Sequence, residues 1–181
     1  ATADEALLLF STSFDLRPAQ ITGVERLRFG VNNSSATVGG DQIGAGGFSQ
    51  IDASIYNVSL LVTGNAVDLS GVSFLNWNDS IIIAGGSSGT STLVGSDQPE
   101  TIIALGTSTS TITGGRGADQ LLGAGGNDIF RYLNTVDAVA GETVDGGSGT
   151  DSIQIVGNAS VSFEFVQIDS IEQLRLPGAG A

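Results

Sequence analysis

The sequence predicts an all-β protein in which short parallel strands coil into a solenoid. Three observations support this class. Glycine/aspartate nonapeptides follow one another without a gap, large apolar residues recur every nine or ten positions, and a longer similarity links the two ends of the chain. With 27 glycines in 181 residues, a helix cannot keep such a period, whereas short strands joined by tight turns can.

The nonapeptides have the form GGxGxDxUx, in which U is a large apolar residue. Residues 114–122 (GGRGADQLL) and 146–154 (GGSGTDSIQ) match completely, and residues 123–131 (GAGGNDIFR) lose only the second glycine. Residues 86–94 and 95–103 keep the leading glycine and the apolar eighth position. The last three positions predict a short strand with U pointing inward, and the first six predict a turn that needs glycine at positive φ.

The spacing of the nonapeptides also predicts which turns are neighbours. Two copies complete one coil, so turns about 18 residues apart are expected to lie above one another. On this spacing Asp119 is predicted to stack between Glu100 and Asp137. Asp128 is predicted to face residues 145–147 on the coil ahead.

The turns carry oxygen ligands suited to a divalent cation. Ca²⁺ takes about six to eight oxygens at flexible geometry, which turn carbonyls and carboxylates supply, whereas Mg²⁺ demands a stricter octahedron. We therefore expect Ca²⁺ as the cofactor, with stability rising on binding because the site exists only in the folded chain. The alternative is that these residues only form turns or, outside the complete copies, are simply solvated. The predicted metal-site residues are Gly114, Gly115, Gly117, Asp119, Gly123, Gly125, Gly126, Asp128, Asp145, Gly147, Gly149, Asp151, Glu100 and Asp137.

A second repeat consists of two similar segments that lie far apart in the sequence. Residues 21–29 (ITGVERLRF) resemble residues 168–176 (IDSIEQLRL), 147 positions further on. We interpret the chain as one unit of a longer array followed by the start of the next. The predicted divisions are residues 1–29, the end of an upstream unit; 30–85, coils without clear calcium turns; 86–156, the glycine-rich roll; and 157–181, strands that start the next unit.

Composition narrows the function classes. The chain has 19 acidic and 6 basic residues, a net charge of −13, and no Cys, His or Met. Such a surface repels nucleic acid, and no apolar run approaches the ~20 residues that span a bilayer, so we expect neither nucleic-acid binding nor membrane insertion. Without Cys and His there is no Cys nucleophile, no His general base and no zinc site of that type, and we predict no catalytic residues and no enzyme activity.

The adjacent copies at 114–131, the run from Asn127 to Tyr132 and the later copy at 145–151 resemble the RTX (repeats-in-toxin) family, over about residues 86–156. The resemblance implies a right-handed parallel β-roll with calcium between turns, export through a type I secretion channel, and folding outside the cell. Localisation would be secreted or at the cell surface. Only three turns match strongly, and Ser110 replaces an expected aspartate, so we expect a few ions and not a long metal column.

These features predict a calcium-binding structural module of a large secreted or cell-surface bacterial protein, of the S-layer or adhesin type. Besides calcium ions, the expected partners are neighbouring copies in an array or a cell-surface polysaccharide. One alternative is the C-terminal folding and secretion module of a secreted protease, lipase or epimerase. Another is a carbohydrate-binding adhesin domain. Trp77, the single tryptophan, is predicted to pack at a coil edge, with a sugar-stacking platform as the alternative.

Overall fold

The computed structural model describes residues 5–157 and 159–177. This part of the chain is an all-β parallel solenoid of about eight turns, which confirms the predicted class. It contains no α-helix, only a 3-10 turn at Gly40–Gln42, and hence no helix long and apolar enough to cross a membrane. The strands are β1 (Ala6–Leu9), β2 (Ser13–Asp15), β3 (Arg26–Phe29), β4 (Ser34–Gly39), β5 (Gln50–Asp52), β6 (Val58–Thr63), β7 (Ala66–Asp68), β8 (Ser73–Leu75), β9 (Ser80–Ala84), β10 (Ser91–Val94), β11 (Thr101–Ile103), β12 (Ser110–Thr113), β13 (Gln120–Leu122), β14 (Ile129–Tyr132), β15 (Thr143–Asp145), β16 (Ser152–Ile155), β17 (Gln167–Asp169) and β18 (Gln173–Arg175).

Three parallel sheets form the walls of the solenoid. The long sheet has the order β17-β15-β13-β11-β9-β6-β4-β2, the N-terminal sheet β1-β3-β5-β8, and the C-terminal sheet β18-β16-β14-β12-β10-β7. The long sheet therefore runs along the whole described solenoid. The N-terminal sheet forms a second wall of the first coils, and the C-terminal sheet forms that wall in the later coils. The change falls at β7 and β8, successive strands that belong to different sheets.

Alternate side chains of each strand point inward and stack on the same position of the next coil. Two columns of these inner positions are at most 3% exposed, and burial of each such side chain contributes about 1.5–3 kcal/mol. One column follows the long sheet and contains Val38, Val62, Ile83, Ile102, Leu121 and Val144. The other follows the C-terminal sheet and contains Val67, Leu93, Ile112, Phe130 and Ile153.

The coil length changes along the chain. β10 pairs with β12 at a spacing of 19 residues (Ser91 with Ser110), and β12 pairs with β14 at 18 (Thr111 with Ile129). The next coil is longer, because β14 pairs with β16 at a spacing of 23 (Ile129 with Ser152). The extra length is a strandless loop over residues 133–142. The predicted spacing of about 18 residues thus describes the coils from β9 to β14 and is wrong for the next coil, although that coil also joins two glycine-rich turns.

Residues 30–85, whose path is not readable from the sequence, form coils of the same solenoid. Within them, an isolated parallel bridge joins Ile43 to Phe48, and the Phe48 ring lies in the core. The Trp77 ring packs edge to face against Phe29 and Phe74, at centroid distances of 5.9 and 5.3 Å, and its Nε1 donates to the carbonyl oxygen of Asp79 at 3.0 Å. The packing interpretation of Trp77 is therefore confirmed.

Candidate metal-binding turns

The glycine turns adopt the backbone conformation that the nonapeptide requires. Gly117, Gly126 and Gly149, one from each copy, have φ of 122°, 107° and 142°. L side chains rarely adopt this region, which glycine enters without steric cost. Ala124, which replaces the second glycine of the middle copy, is also held at a positive φ of 64°. The turn therefore forms in all three copies, at the cost of strain at Ala124.

The turns bring acidic side chains into two columns, and every member directly precedes a strand. The long-sheet column consists of Glu100, Asp119 and Glu142, and the C-terminal column consists of Asp128, Asp151 and Glu172. The same backbone hydrogen bond links each neighbouring pair. The N–H of the residue after one member donates to the carbonyl oxygen of the member before it, at 2.8–3.0 Å. Each column is thus one ladder position repeated along the solenoid axis.

In the three motif aspartates, one carboxylate oxygen is hydrogen-bonded to the preceding coil. Oδ1 of Asp119 accepts the backbone N–H of Glu100 at 2.9 Å. Oδ1 of Asp128 accepts that of Ser110 at 2.7 Å, and Oδ1 of Asp151 accepts that of Asp128 at 2.6 Å. These bonds satisfy the last backbone donor before each strand and hold neighbouring turns in register.

The second oxygen, Oδ2, is buried in each of Asp119, Asp128 and Asp151 and has no hydrogen-bond partner. The three residues are only 0–1% exposed. Nε of Arg131 is the other buried side-chain atom of this kind within the described residues. An unsatisfied buried polar group costs about 1–3 kcal/mol, and more if it is charged. The same oxygen is thus left without a partner at one motif position in three turns, where it could pair with a cation.

The free oxygens point at the first glycine of their own turn. A Cβ at Gly123 would lie 2.7 Å from Oδ2 of Asp128, and a Cβ at Gly146 would lie 2.7 Å from Oδ2 of Asp151. Carbonyl oxygens of the next coil reach the same places, since the carbonyl of Gly146 meets Gly123 and that of Ser170 meets Gly146. A carboxylate oxygen and a carbonyl oxygen therefore converge on space that any side chain would fill.

Burial raises the pKa of these carboxyl groups. Burial, with the nearby charge of Asp151, raises the pKa of Asp128 to about 6. Burial raises the pKa of Glu142 to about 7, and it also raises the pKa values of Glu100 and Asp119 above their ordinary range. The charged forms are thus disfavoured in the fold alone, and a bound cation would reverse this preference.

The neighbours of Asp119 differ in part from the prediction. Glu100 lies on one side, as expected. On the other side the N–H of Thr143 donates to the carbonyl oxygen of Asp119, so Glu142 occupies the stacked position. The prediction that Asp137 occupies it is wrong, because the loop over residues 133–142 lengthens this coil.

Asp137 lies in that loop and is buried there. Its Oδ2 accepts the backbone N–H groups of Leu133 and Asn134, both at 2.8 Å. It is close enough to Asp119 for its charge to raise the pKa of Asp119 further, after burial. Asp137 therefore organises the loop beside the long-sheet column and has satisfied hydrogen bonds of its own.

The coil ahead of Asp128 places Asp151 beside its backbone N–H. The predicted segment 145–147 also lies near Asp128, because the carbonyl oxygen of Gly146 and Oδ2 of Asp128 reach the same place beside Gly123. Residues 146–148 stack on the turn that precedes Asp128. Asp145 is exposed, and its Oδ1 accepts the N–H of Gly147 at 3.0 Å, as a turn-forming aspartate does.

Two members of the columns were not predicted from the sequence, Glu142 and Glu172. Each precedes an inward apolar residue by two positions, Val144 and Leu174, which is the spacing of the nonapeptide aspartate. A search for any acid at this spacing, without the glycines, would have found both. Oε1 of Glu142 accepts the hydroxyl of Tyr132 at 2.7 Å. Its Oε2 accepts the backbone N–H of Val139 at 3.3 Å, so both carboxylate oxygens of Glu142 have partners, whereas Oδ2 of each motif aspartate has none.

The donor set of the turns defines which metals fit. Among residues 5–157 and 159–177, no three acidic side chains converge as a metal cluster. An ion at a turn would therefore combine a carboxylate oxygen with backbone carbonyls and water. Such an all-oxygen set with flexible geometry fits Ca²⁺ better than Mg²⁺ or a transition metal.

Comparison with protein-family models, with curated proteins and with solved structures finds no match for this chain. The fold and the turns define its class from its own residues. It is a parallel β-solenoid whose later coils carry glycine-rich turns with buried aspartates.

Proposed function

We propose that this chain is a calcium-binding structural module of a secreted or cell-surface protein, in which Ca²⁺ ions at the glycine turns stiffen the C-terminal half of the solenoid. The observation that carries the proposal is the set of three unpartnered buried oxygens, Oδ2 of Asp119, Asp128 and Asp151. A divalent cation would pair these oxygens and offset the cost of burying their charge.

The middle copy illustrates how an ion would be held. Oδ2 of Asp128 and the carbonyl oxygen of Gly146 belong to adjacent coils and converge on the same space beside Gly123. An ion there would tie the two coils together, with further turn carbonyls and water completing about six to eight ligands. Because these donors converge only in the folded solenoid, binding would stabilise the fold by linkage.

The resemblance of the nonapeptides to RTX repeats extends the proposal to a right-handed roll, type I export and an extracellular location. Sites built from few carboxylates bind calcium weakly, at about 10⁻⁴–10⁻³ M in extracellular modules. Such sites would stay empty in a cell interior and fill outside. The net charge of −13 favours cations as ligands for the same surface. A structural role of the S-layer or adhesin type, with neighbouring copies or a surface polysaccharide as partners, follows from the 147-residue similarity between the chain ends.

A calcium titration tests the proposal. Isothermal titration calorimetry is expected to show about three ions, one for each motif aspartate, and calorimetric melting is expected to shift upward in millimolar calcium but little in magnesium. Asp119→Asn, Asp128→Asn and Asp151→Asn should each remove one ion. Asp97→Asn is the matched control, because Asp97 lies in a turn of the same half, has an exposed carboxylate and is not among the predicted metal-site residues. Equal melting temperatures in chelator and in calcium would overturn the proposal.

A further inference from the structure

The downstream end of the solenoid presents an uncovered apolar face. Among the described residues, β17 and β18 are edge strands, each paired on one side only. Their inward residues, Ile168 and Leu174, are 40% and 58% exposed, although every earlier member of their two columns is at most 3% exposed. Together with Ile153, Phe163 and Ile171 they line an open groove of about 310 Å³.

Strand β18 on this face occupies the same ladder position as β3 of the first coil. The N–H of Gln173 in β18 donates to the carbonyl oxygen of Asp151, just as the N–H of Arg26 in β3 donates to that of Glu5. Both strands follow a long-sheet strand, but the connection is short before β18 (residues 170–172) and longer before β3 (residues 16–25). The sequence similarity at an offset of 147 residues therefore joins strands with the same place in the ladder.

The first coil shows what covers such a face. In β3, Leu27 is fully buried because Ile51 of β5 stacks on it. Nε of Arg28 pairs with Oδ2 of Asp52 at 3.3 Å. Strand β5 thus supplies an apolar residue and a carboxylate to the two residues of β3 that are shared with β18.

In β18 the counterparts of these residues lack that cover. Leu174, at the position of Leu27, is exposed. Among the described residues, the guanidinium of Arg175, at the position of Arg28, donates only within its own strand, to Oε1 of Gln173 at 3.1 and 3.4 Å. The last coil therefore carries an apolar residue and a guanidinium that fit a strand with the chemistry of β5.

We propose that the uncovered face of the last coil is the docking surface for residues 30–63 of a second copy of this unit. In this arrangement residue 30 of the second copy occupies the position that follows residue 176 of the first. Ile51 of that copy covers Leu174, and Asp52 pairs with Arg175. In the long sheet, Val38 covers Ile168, because both belong to one inward column in which each residue stacks on the residue of the next coil. Successive units then form one continuous solenoid with a period of 147 residues. This inference does not depend on calcium binding.

The absence of cysteine from the chain allows a direct test. Leu174→Cys places a single thiol on the uncovered face, and its labelling rate reports exposure. The variant is prepared in the 181-residue chain and in a two-unit chain in which residue 176 is followed by residue 30 of a second copy. The thiol is expected to react at least tenfold more slowly in the two-unit chain. A control chain in which residue 176 is followed by residue 33 shifts the register and should label as fast as the single unit.

Equal labelling in the in-register and single-unit chains would overturn the proposal. Failure of the in-register chain to fold would also overturn the proposal, because a junction in the correct register should allow both units to fold. Calcium titration of the same three chains keeps the two proposals apart. Slow labelling without calcium binding would support the docking surface and defeat the calcium function, while the reverse pattern would do the opposite.

Discussion

The two halves of the solenoid bury carboxylates in opposite ways. In the N-terminal half, burial acts to raise the pKa of Asp52, but hydrogen bonds from Ser54 and Asn76 and the charge of Arg28 outweigh it, so the pKa is lowered. In the C-terminal half, burial raises the pKa of Asp128 to about 6, and its Oδ2 has no partner. The N-terminal half contains groups that stabilise its buried charge, whereas the C-terminal half leaves one oxygen of the buried Asp128 carboxylate without a partner.

The turns between strands also differ between the two halves, because the N-terminal half uses asparagine where the C-terminal half uses glycine. Asn33, Asn57 and Asn76 occupy left-handed turn positions in the N-terminal half, with φ of 55°, 57° and 54°. The amide of Asn57 donates to Oδ1 of Asn33 on the neighbouring coil at 2.6 Å. Asparagine tolerates this conformation and also brings a hydrogen-bonding side chain, whereas glycine leaves turn carbonyls uncovered. The N-terminal coils are therefore expected to be stable without metal, and the glycine-rich coils are not.

Removal of calcium is expected to separate the halves most strongly. In chelator, amide hydrogen exchange of residues 91–155 should accelerate by about 100-fold or more, since a ligand at 100 times its Kd contributes about 2.7 kcal/mol per site. Exchange of residues 34–63 should change little. Exchange followed by mass spectrometry in chelator and in about 10 mM calcium, which is about 100 times a Kd of ~10⁻⁴ M, measures both. A uniform change along the chain would contradict the division into two kinds of coil.

The next largest effect is expected when one buried aspartate in each half is replaced by asparagine. In calcium, Asp128→Asn should lower the free energy of unfolding by about 2–3 kcal/mol, because one ion is lost. In chelator it should be neutral or stabilising, because a costly buried charge is removed. Asp52→Asn should cost about 1–2 kcal/mol in both conditions, because it weakens hydrogen bonds and the pair with Arg28. Denaturant unfolding measures all four values, and similar responses of the two variants would remove the distinction.

The periodic parts of the molecule were predictable from the sequence, and the aperiodic parts were not. The solenoid class and the inward apolar positions follow from the nonapeptides, because a repeated turn and a repeated apolar residue allow only a stacked coil. The loop over residues 133–142 breaks the period, and its length is set by contacts such as those of Asp137, which have no local signature. This loop alone explains why Glu142 was missed and why the neighbours of Asp119 and Asp128 were partly misplaced.

The coils of residues 30–85 were unreadable for a related reason. Their spacings range from 21 to 24 residues along the long sheet, and no motif marks where each coil ends. Their path depends on long-range packing, such as the contacts of Trp77 with Phe29 and Phe74. Only the three-dimensional arrangement shows which residues these rings meet.

The pH dependence of the calcium-free protein is a smaller test of the same contrast. Asp128 and Glu142 have folded-state pKa values raised to about 6 and about 7, above the ~4 of unfolded chains. The folded state thus binds more protons between these values, so its stability is greatest below pH ~4 and falls as pH rises through 6 to 7. After allowing for solvent screening we expect a loss of about 1–2 kcal/mol in chelator. Unfolding at pH 4.5 and 7.5 measures it, and a gain in stability with rising pH would contradict the raised values.

The smallest expected effect concerns backbone strain in the glycine-rich half. Ala124 holds a φ of 64° where the complete nonapeptides have glycine. Ala124→Gly should raise the free energy of unfolding by about 0.5–1 kcal/mol, in calcium and in chelator alike, because glycine adopts positive φ without a Cβ penalty. Ala66→Gly is the matched control, because Ala66 is an exposed alanine in strand β7, outside the positive-φ residues. It should lose about 0.5–1 kcal/mol through the greater entropy of the unfolded chain. Opposite signs for the two substitutions, measured by denaturant unfolding, would show that the second position of the turn requires glycine for its conformation. Two losses would show that the surrounding coils hold Ala124 without strain.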